Sequence, residues 1–163
     1  MPRLLPISNQ HNKRKPKDLA TKIVFGIVIL ISVSICTGIA IMIYQGERDP
    51  DIIIHNDTIE IRALYGLTIS ISDINEISLI DKSMRELGAG TRTNGYSSTG
   101  LALKGNFTSP HLGQILLFVY STSSPTIKLT TINNPDIYIS FRNNETTKEL
   151  YQKLSTINNQ ITP

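Results

Sequence analysis

The segment TRTNGYSSTG, Thr91–Gly100, gathers small hydroxyl residues, two glycines and a lone arginine, the residue types that hold anions. A phosphate loop would need them in a set pattern. Gly90 and Gly95 have Walker-like spacing, but Tyr96 stands where a lysine must precede the hydroxyl residue, here Ser97, so no side chain matches the charge of the outer phosphates. Gly88-Ala89-Gly90 opens like a dinucleotide loop, yet Thr93 takes the place of the third glycine and no amphipathic helix follows. What remains is a candidate binding loop carried by Arg92, Asn94 and Gly95. Asn94-Gly95 is a turn signal, and Arg92 has several donors. The same residues have a structural reading: Arg92 paired with Asp81 or Glu86, or tying down the loop backbone.

Other chemistry-bearing residues form no set. His11, His55 and His111 show no metal-ligand spacing. Ser97 and Ser98 lack the glycine frame of a nucleophile elbow. Asp73 and Glu76 read as turn residues. The single cysteine, Cys36, removes any intramolecular disulfide and any cysteine zinc site. No cofactor, no metal and no catalytic residue is expected.

The elements that would position a site begin with a membrane segment. Ile23 to Tyr44 reads IVFGIVILISVSICTGIAIMIY, without charge. As a helix it is about 33 Å long at roughly 1.5 Å per residue, enough for a hydrocarbon core. It is longer than the apolar core of a cleavable signal peptide, so an uncleaved signal anchor is expected. Residues 1–22 read as a basic, disordered tail. Six Lys/Arg precede the segment, and Arg48 follows among Glu47, Asp49 and Asp51. That bias predicts a single-pass protein of the cell membrane, with a cytoplasmic N-terminus and an extracellular C-terminal domain. Ser34 and Gly38 form a small-xxx-small step compatible with a homodimer.

The net charge of +3 is unevenly placed. Residues 1–44 hold six Lys/Arg against Asp18, whereas residues 45–163 hold 10 against 12 Asp/Glu. The basic character belongs to the tail, and no nucleic-acid surface is expected on the domain.

Residues 45–50 read as a linker, reaching at most about 20 Å. From Asp51 onward the period becomes two. Ile59 and Ile61, Leu67 and Ile69, Leu101 and Leu103, Ile127 and Leu129, and Ile137 and Ile139 alternate with polar residues. Ile115, Leu117 and Val119 face one way and Leu116, Phe118 and Tyr120 the other. Turn signals separate these runs at Asn56-Asp57, Tyr65-Gly66, Ser124-Pro125 and Asn133-Asn134-Pro135. Thr146 and Glu149 have capping-box spacing, and Leu150, Leu154 and Ile157 then recur at helical spacing. The expectation for residues 51–163 is a mainly β, bent antiparallel sheet or barrel of about seven strands, closed by one C-terminal α-helix.

The order of NDTIEIRALYGLTISISDINEISLID (Asn56–Asp81), RTNG (Arg92–Gly95), LKGNF (Leu103–Phe107), ILLFVYS (Ile115–Ser121) and TTKELYQKL (Thr146–Leu154) resembles the bacterial pleckstrin-homology-like (PH-like) domain family. The resemblance covers about residues 50–157. It implies a bent antiparallel sheet closed by a helix, often beside membrane helices, with no catalytic residues. Lipid-binding relatives place basic residues in the first hairpin turn. Here that turn is His55-Asn56-Asp57-Thr58, and no phosphoinositide site is carried over. The function expected is a non-enzymatic membrane-anchored module binding a protein or envelope partner. The alternatives are a membrane-surface or lipid-binding module, and an enzyme with a dispersed active site.

Overall fold

The computed structural model describes residues 16–98 and 101–161. The chain divides between Ala40 and Ile41 into two units. The first holds most of helix α1, Pro16–Glu47. Proline at the start costs nothing, because the first helical N–H has no partner to lose. The tail expected to be disordered is thus helical from Pro16, and residues 1–15 lie outside the described residues. Leu19–Glu47 is apolar and long enough to cross a membrane. Its hydroxyls are satisfied within the helix: Ser32, Ser34 and Thr37 donate to the carbonyls of Val28, Leu30 and Val33 at 2.9, 3.0 and 2.9 Å. In lipid, where no water answers a polar group, this internal bonding is required.

The second unit holds two sheets, the short helix α2 and the longer helix α3. Strands β1 (Asp51–Ile54), β2 (Thr58–Arg62) and β3 (Leu67–Ser70) form an antiparallel meander. A 3₁₀ turn, Ile71–Asp73, leads into β4 (Ile74–Ile80). Then follow α2 (Met84–Leu87), β5 (Thr91–Ser97), β6 (Ala102–Ser109), β7 (Gly113–Tyr120), β8 (Thr126–Thr131), β9 (Asp136–Ile139) and α3 (Asn144–Ile161). The larger sheet has the order β4-β8-β9-β7-β6-β5.

Alternation along β7 divides the core as its sequence pattern requires. Leu116 and Phe118 join Ile59, Ile61, Ile127, Ile137, Leu150 and Leu154 between the two sheets and α3. Ile115, Leu117 and Val119 join Met84, Leu103, Phe107 and Tyr138 on the opposite face. Leu154 is 0 % exposed.

Several expectations need correction. The described residues hold nine strands where about seven were expected: the six alternating runs are joined by Asp51–Ile54, Ile74–Ile80 and Thr91–Ser97, which lack a clean alternation yet are held by pairing. The large sheet is not wholly antiparallel: β7 and β9 run parallel, from Ile115↔Asp136 to Phe118↔Ile139. Asn94-Gly95 is not a turn. It lies inside β5, where Gly95 faces Gly105 across the ladder, and a Cβ on Gly95 would overlap the Lys104 carbonyl. The glycine is there for close backbone approach. Helix α3 begins before the Thr146/Glu149 spacing. Asn143 Oδ1 accepts the Glu145 N–H at 2.9 Å, and Thr147 Oγ1 accepts the Phe141 N–H at 3.0 Å. The capping box of the fold is Ser83/Glu86, at the start of α2. Ser83 and Glu86, three apart and flanking Met84, carried that signal in the sequence.

Candidate functional site

Every open sheet has edges whose backbone groups need a partner, and the fold treats its edges differently. Edge β4 has α3 packed against it. Edge β5 is interrupted by a register shift between Arg92 and Asn94 and carries the exposed Arg92. Bulges and charges of this kind discourage strand pairing. Edge β3 runs straight into the 3₁₀ turn. Among the described residues, edge β1 has no register shift and pairs with no strand other than β2. Its sequence, DIII, is a run of β-branched residues suited to extended backbone.

The bonding pattern fixes which β1 groups are free. Register pairs Asp51 with Arg62, Ile52 with Ile61, Ile53 with Glu60 and Ile54 with Ile59. The His55 N–H donates to the Thr58 carbonyl at 2.8 Å, so the next residue pair is hydrogen-bonded. Antiparallel ladders alternate, so Asp51 and Ile53 bond to β2. The N–H and C=O of Ile52 and Ile54 point away from it. Among the described residues these outward groups have no backbone partner.

Beside them runs a groove of about 510 Å³. One side is Pro50–Ile54; the other is Phe141 and the α3 residues Thr146, Glu149, Leu150 and Lys153. Phe141 and Leu150 belong to the core, and Ile52 and Ile54 pack against it. Glu149 and Lys153 stand one helical turn apart on the rim. Outward backbone donors and acceptors, an apolar wall and a charged rim are what an extended polypeptide needs.

The chain just before β1 is held firmly. The Glu47 carboxylate accepts from the Tyr96 hydroxyl at 3.0 Å and the Tyr120 hydroxyl at 3.2 Å. It also pairs with Arg142 at 3.2 Å. Arg142 lies over the Tyr120 ring, 4.4 Å from its centre, and donates to the Glu47 carbonyl at 2.7 Å. Lys104, on β6, is 2 % exposed. Its ammonium donates to the Gln45 carbonyl at 3.3 Å and also to the Arg48 carbonyl. These carbonyls stand at the end of α1, where the helix has no further N–H to offer them and a cation is favoured. Burial lowers the Lys104 pKa, against the pull of Asp49 and Glu47. A side chain on Gly46 would overlap the Tyr96 ring. Residues 45–50, expected as a linker, are therefore the last turn of α1 and a bound lead-in to β1. Alternation placed Lys104 among the polar residues facing away from Leu103. The fold buries it, because the α1 terminus covers that face.

The three candidate residues from the sequence lie apart from this groove. Arg92 is exposed and has no ion pair or side-chain hydrogen bond among the described residues. The carboxylate of Glu86, one of its expected partners, is engaged by the Ser83 N–H at 2.8 Å and the Ser83 hydroxyl at 2.7 Å. Asn94 borders a separate concavity of about 300 Å³ with Gln114 and Pro135. Gly95 serves strand pairing. Ser98 Oγ accepts the Ala102 N–H at 3.0 Å, closing the β5–β6 connection. His55 lies 3.5 Å from Glu60, and no metal-ligating cluster occurs among the described residues.

Comparison with known protein families, curated proteins and solved structures gives no match.

Proposed function

We propose that this chain is a non-enzymatic, single-pass membrane protein whose β domain binds a protein partner by accepting an extended segment at the free edge of β1. The observation that carries the reading is the outward N–H and C=O of Ile52 and Ile54 beside the apolar groove. An extended segment placed there would pair its backbone with β1 and lay alternate side chains against the groove wall formed by Phe141 and Leu150. The Lys/Arg bias around α1 supports an extracellular domain on the cell membrane, with the N-terminus in the cytoplasm. The order of strands before a closing helix supports kinship with PH-like domains. The parallel β7–β9 pair lies outside the wholly antiparallel arrangement that kinship implies.

The test is photo-crosslinking in the full chain in intact membranes, with benzoylphenylalanine at Ile53 and, as reference, at Ile132. The expected product is a protein adduct at position 53 whose crosslinked peptide is one contiguous segment, lost when Ile52→Pro is added. Proline at 52 removes an outward donor, which an edge strand tolerates. Ile53→Pro instead removes a donor of the β2 ladder and should destabilise the strand itself. An adduct at 53 that survives Ile52→Pro in a folded protein overturns the strand-addition reading. So does the absence of any adduct specific to position 53.

A further inference from the structure

We infer that Leu101, just before β6, is a second membrane contact, resting on the bilayer interface beside the end of α1. The inference goes beyond the strand-binding groove and rests only on α1 being the membrane span. Ile43 and Leu101 line one groove of about 490 Å³. Ile43 is 49 % and Leu101 44 % exposed, two large aliphatic side chains that share an opening without filling it. Ile43 belongs to the apolar run that ends at Tyr44, so it marks the depth at which hydrocarbon gives way to headgroups. Leu101, more than fifty residues further on, is brought to the same depth by the clamp described above. Tyr96 precedes the β5–β6 connection on β5, and it is bonded to Glu47 and packed on Gly46.

The neighbouring residues have interfacial chemistry. Arg48 lies over the Tyr44 ring, 5.5 Å from its centre. Tyrosine favours the headgroup level, and arginine extends its charge from apolar surface toward water. Ser97 and Ser98 supply short polar side chains beside Leu101. The occupant that fits is lipid, with upper acyl chain against Ile43 and Leu101 and headgroups against the tyrosine, arginine and serines. A protein partner would have to share the opening with the bilayer that surrounds Ile43.

The sequence contains no tryptophan, so single-tryptophan variants report without background. Leu101→Trp, Val33→Trp and Ile132→Trp are each made in the full chain. Each is reconstituted in phosphatidylcholine vesicles with and without lipid brominated high on the acyl chain. All three positions are exposed, so the fold should tolerate them. Tryptophan at 101 should emit to the blue of that at 132 and lose much of its emission to the brominated lipid, while 132 keeps its own. Quenching at 33 with none at 101 overturns the second contact and leaves the span standing. No quenching at 33 overturns the span and the contact with it. Equal quenching at 101 and 132 overturns a contact particular to Leu101.

Discussion

Lys104 and Arg92 invert what their letters suggest. Lys104 sits in an alternating strand, where a lysine reads as solvent-facing, yet it is buried against two carbonyls at the α1 terminus. Lys104→Met keeps most of the volume and removes the donor. Leaving those carbonyls unanswered should cost about 1–3 kcal/mol, measured by chemical denaturation of the full chain in micelles. The pH dependence has a definite sign. Because burial lowers the folded-state pKa, the unfolded chain holds more protons than the folded one between that value and the ordinary lysine value. Stability attributable to Lys104 therefore rises as pH is raised through that window. The difference between wild type and Lys104→Met should grow in the same direction, and a difference that shrinks contradicts the assignment. Arg92 is the reverse: the polar segment made it the natural candidate, but among the described residues its guanidinium makes no ion pair or hydrogen bond. Arg92→Ala should change stability by no more than about 0.5 kcal/mol. A larger loss in the same denaturation experiment would show a partner that the geometry lacks.

Among the elements, those whose two faces meet different surroundings were legible in the sequence. β7 is read correctly on both sides because its apolar residues serve two cores, and β2, β8 and β9 show plain alternation. α3 is legible from Leu150, Leu154 and Ile157, although its start is set by Asn143 and Thr147 rather than by the Thr146/Glu149 spacing. Leu154→Ala removes a fully buried side chain from the junction of α3 with both sheets. It should lower stability by about 2–5 kcal/mol, and an unchanged denaturation midpoint would contradict that packing. β5 was hidden because hydroxyls, asparagine and glycine are turn residues by propensity. There the ladder with β6 overrides propensity, and Gly95 is used for close approach to Gly105. β1 was hidden for a different reason. Three consecutive isoleucines give no period, and only the register with β2 shows which backbone groups face outward. No local pattern could have assigned the groove, since its walls come from residues 50–54 and 141–153.

At the scale of the whole molecule, the sequence showed an apolar helix followed by a mainly β region. It did not show that the last turn of α1 is bound by the strands that follow. That turn is held by Tyr96, Lys104, Tyr120 and Arg142, brought from three strands and the segment before α3. That bound turn ends at Pro50 and delivers β1 with its ladder groups toward β2 and the alternate groups toward the groove. Strand addition at β1 is the central claim, and amide hydrogen exchange tests it most directly. In the reconstituted full chain, the amides of Ile52 and Ile54 should exchange far faster than that of Ile53, which the β2 ladder protects. A synthetic peptide of the segment crosslinked at position 53 should then slow Ile52 and Ile54 selectively. Protection of Ile52 and Ile54 before any peptide is added, or exchange at both that the peptide leaves unchanged, would contradict the account.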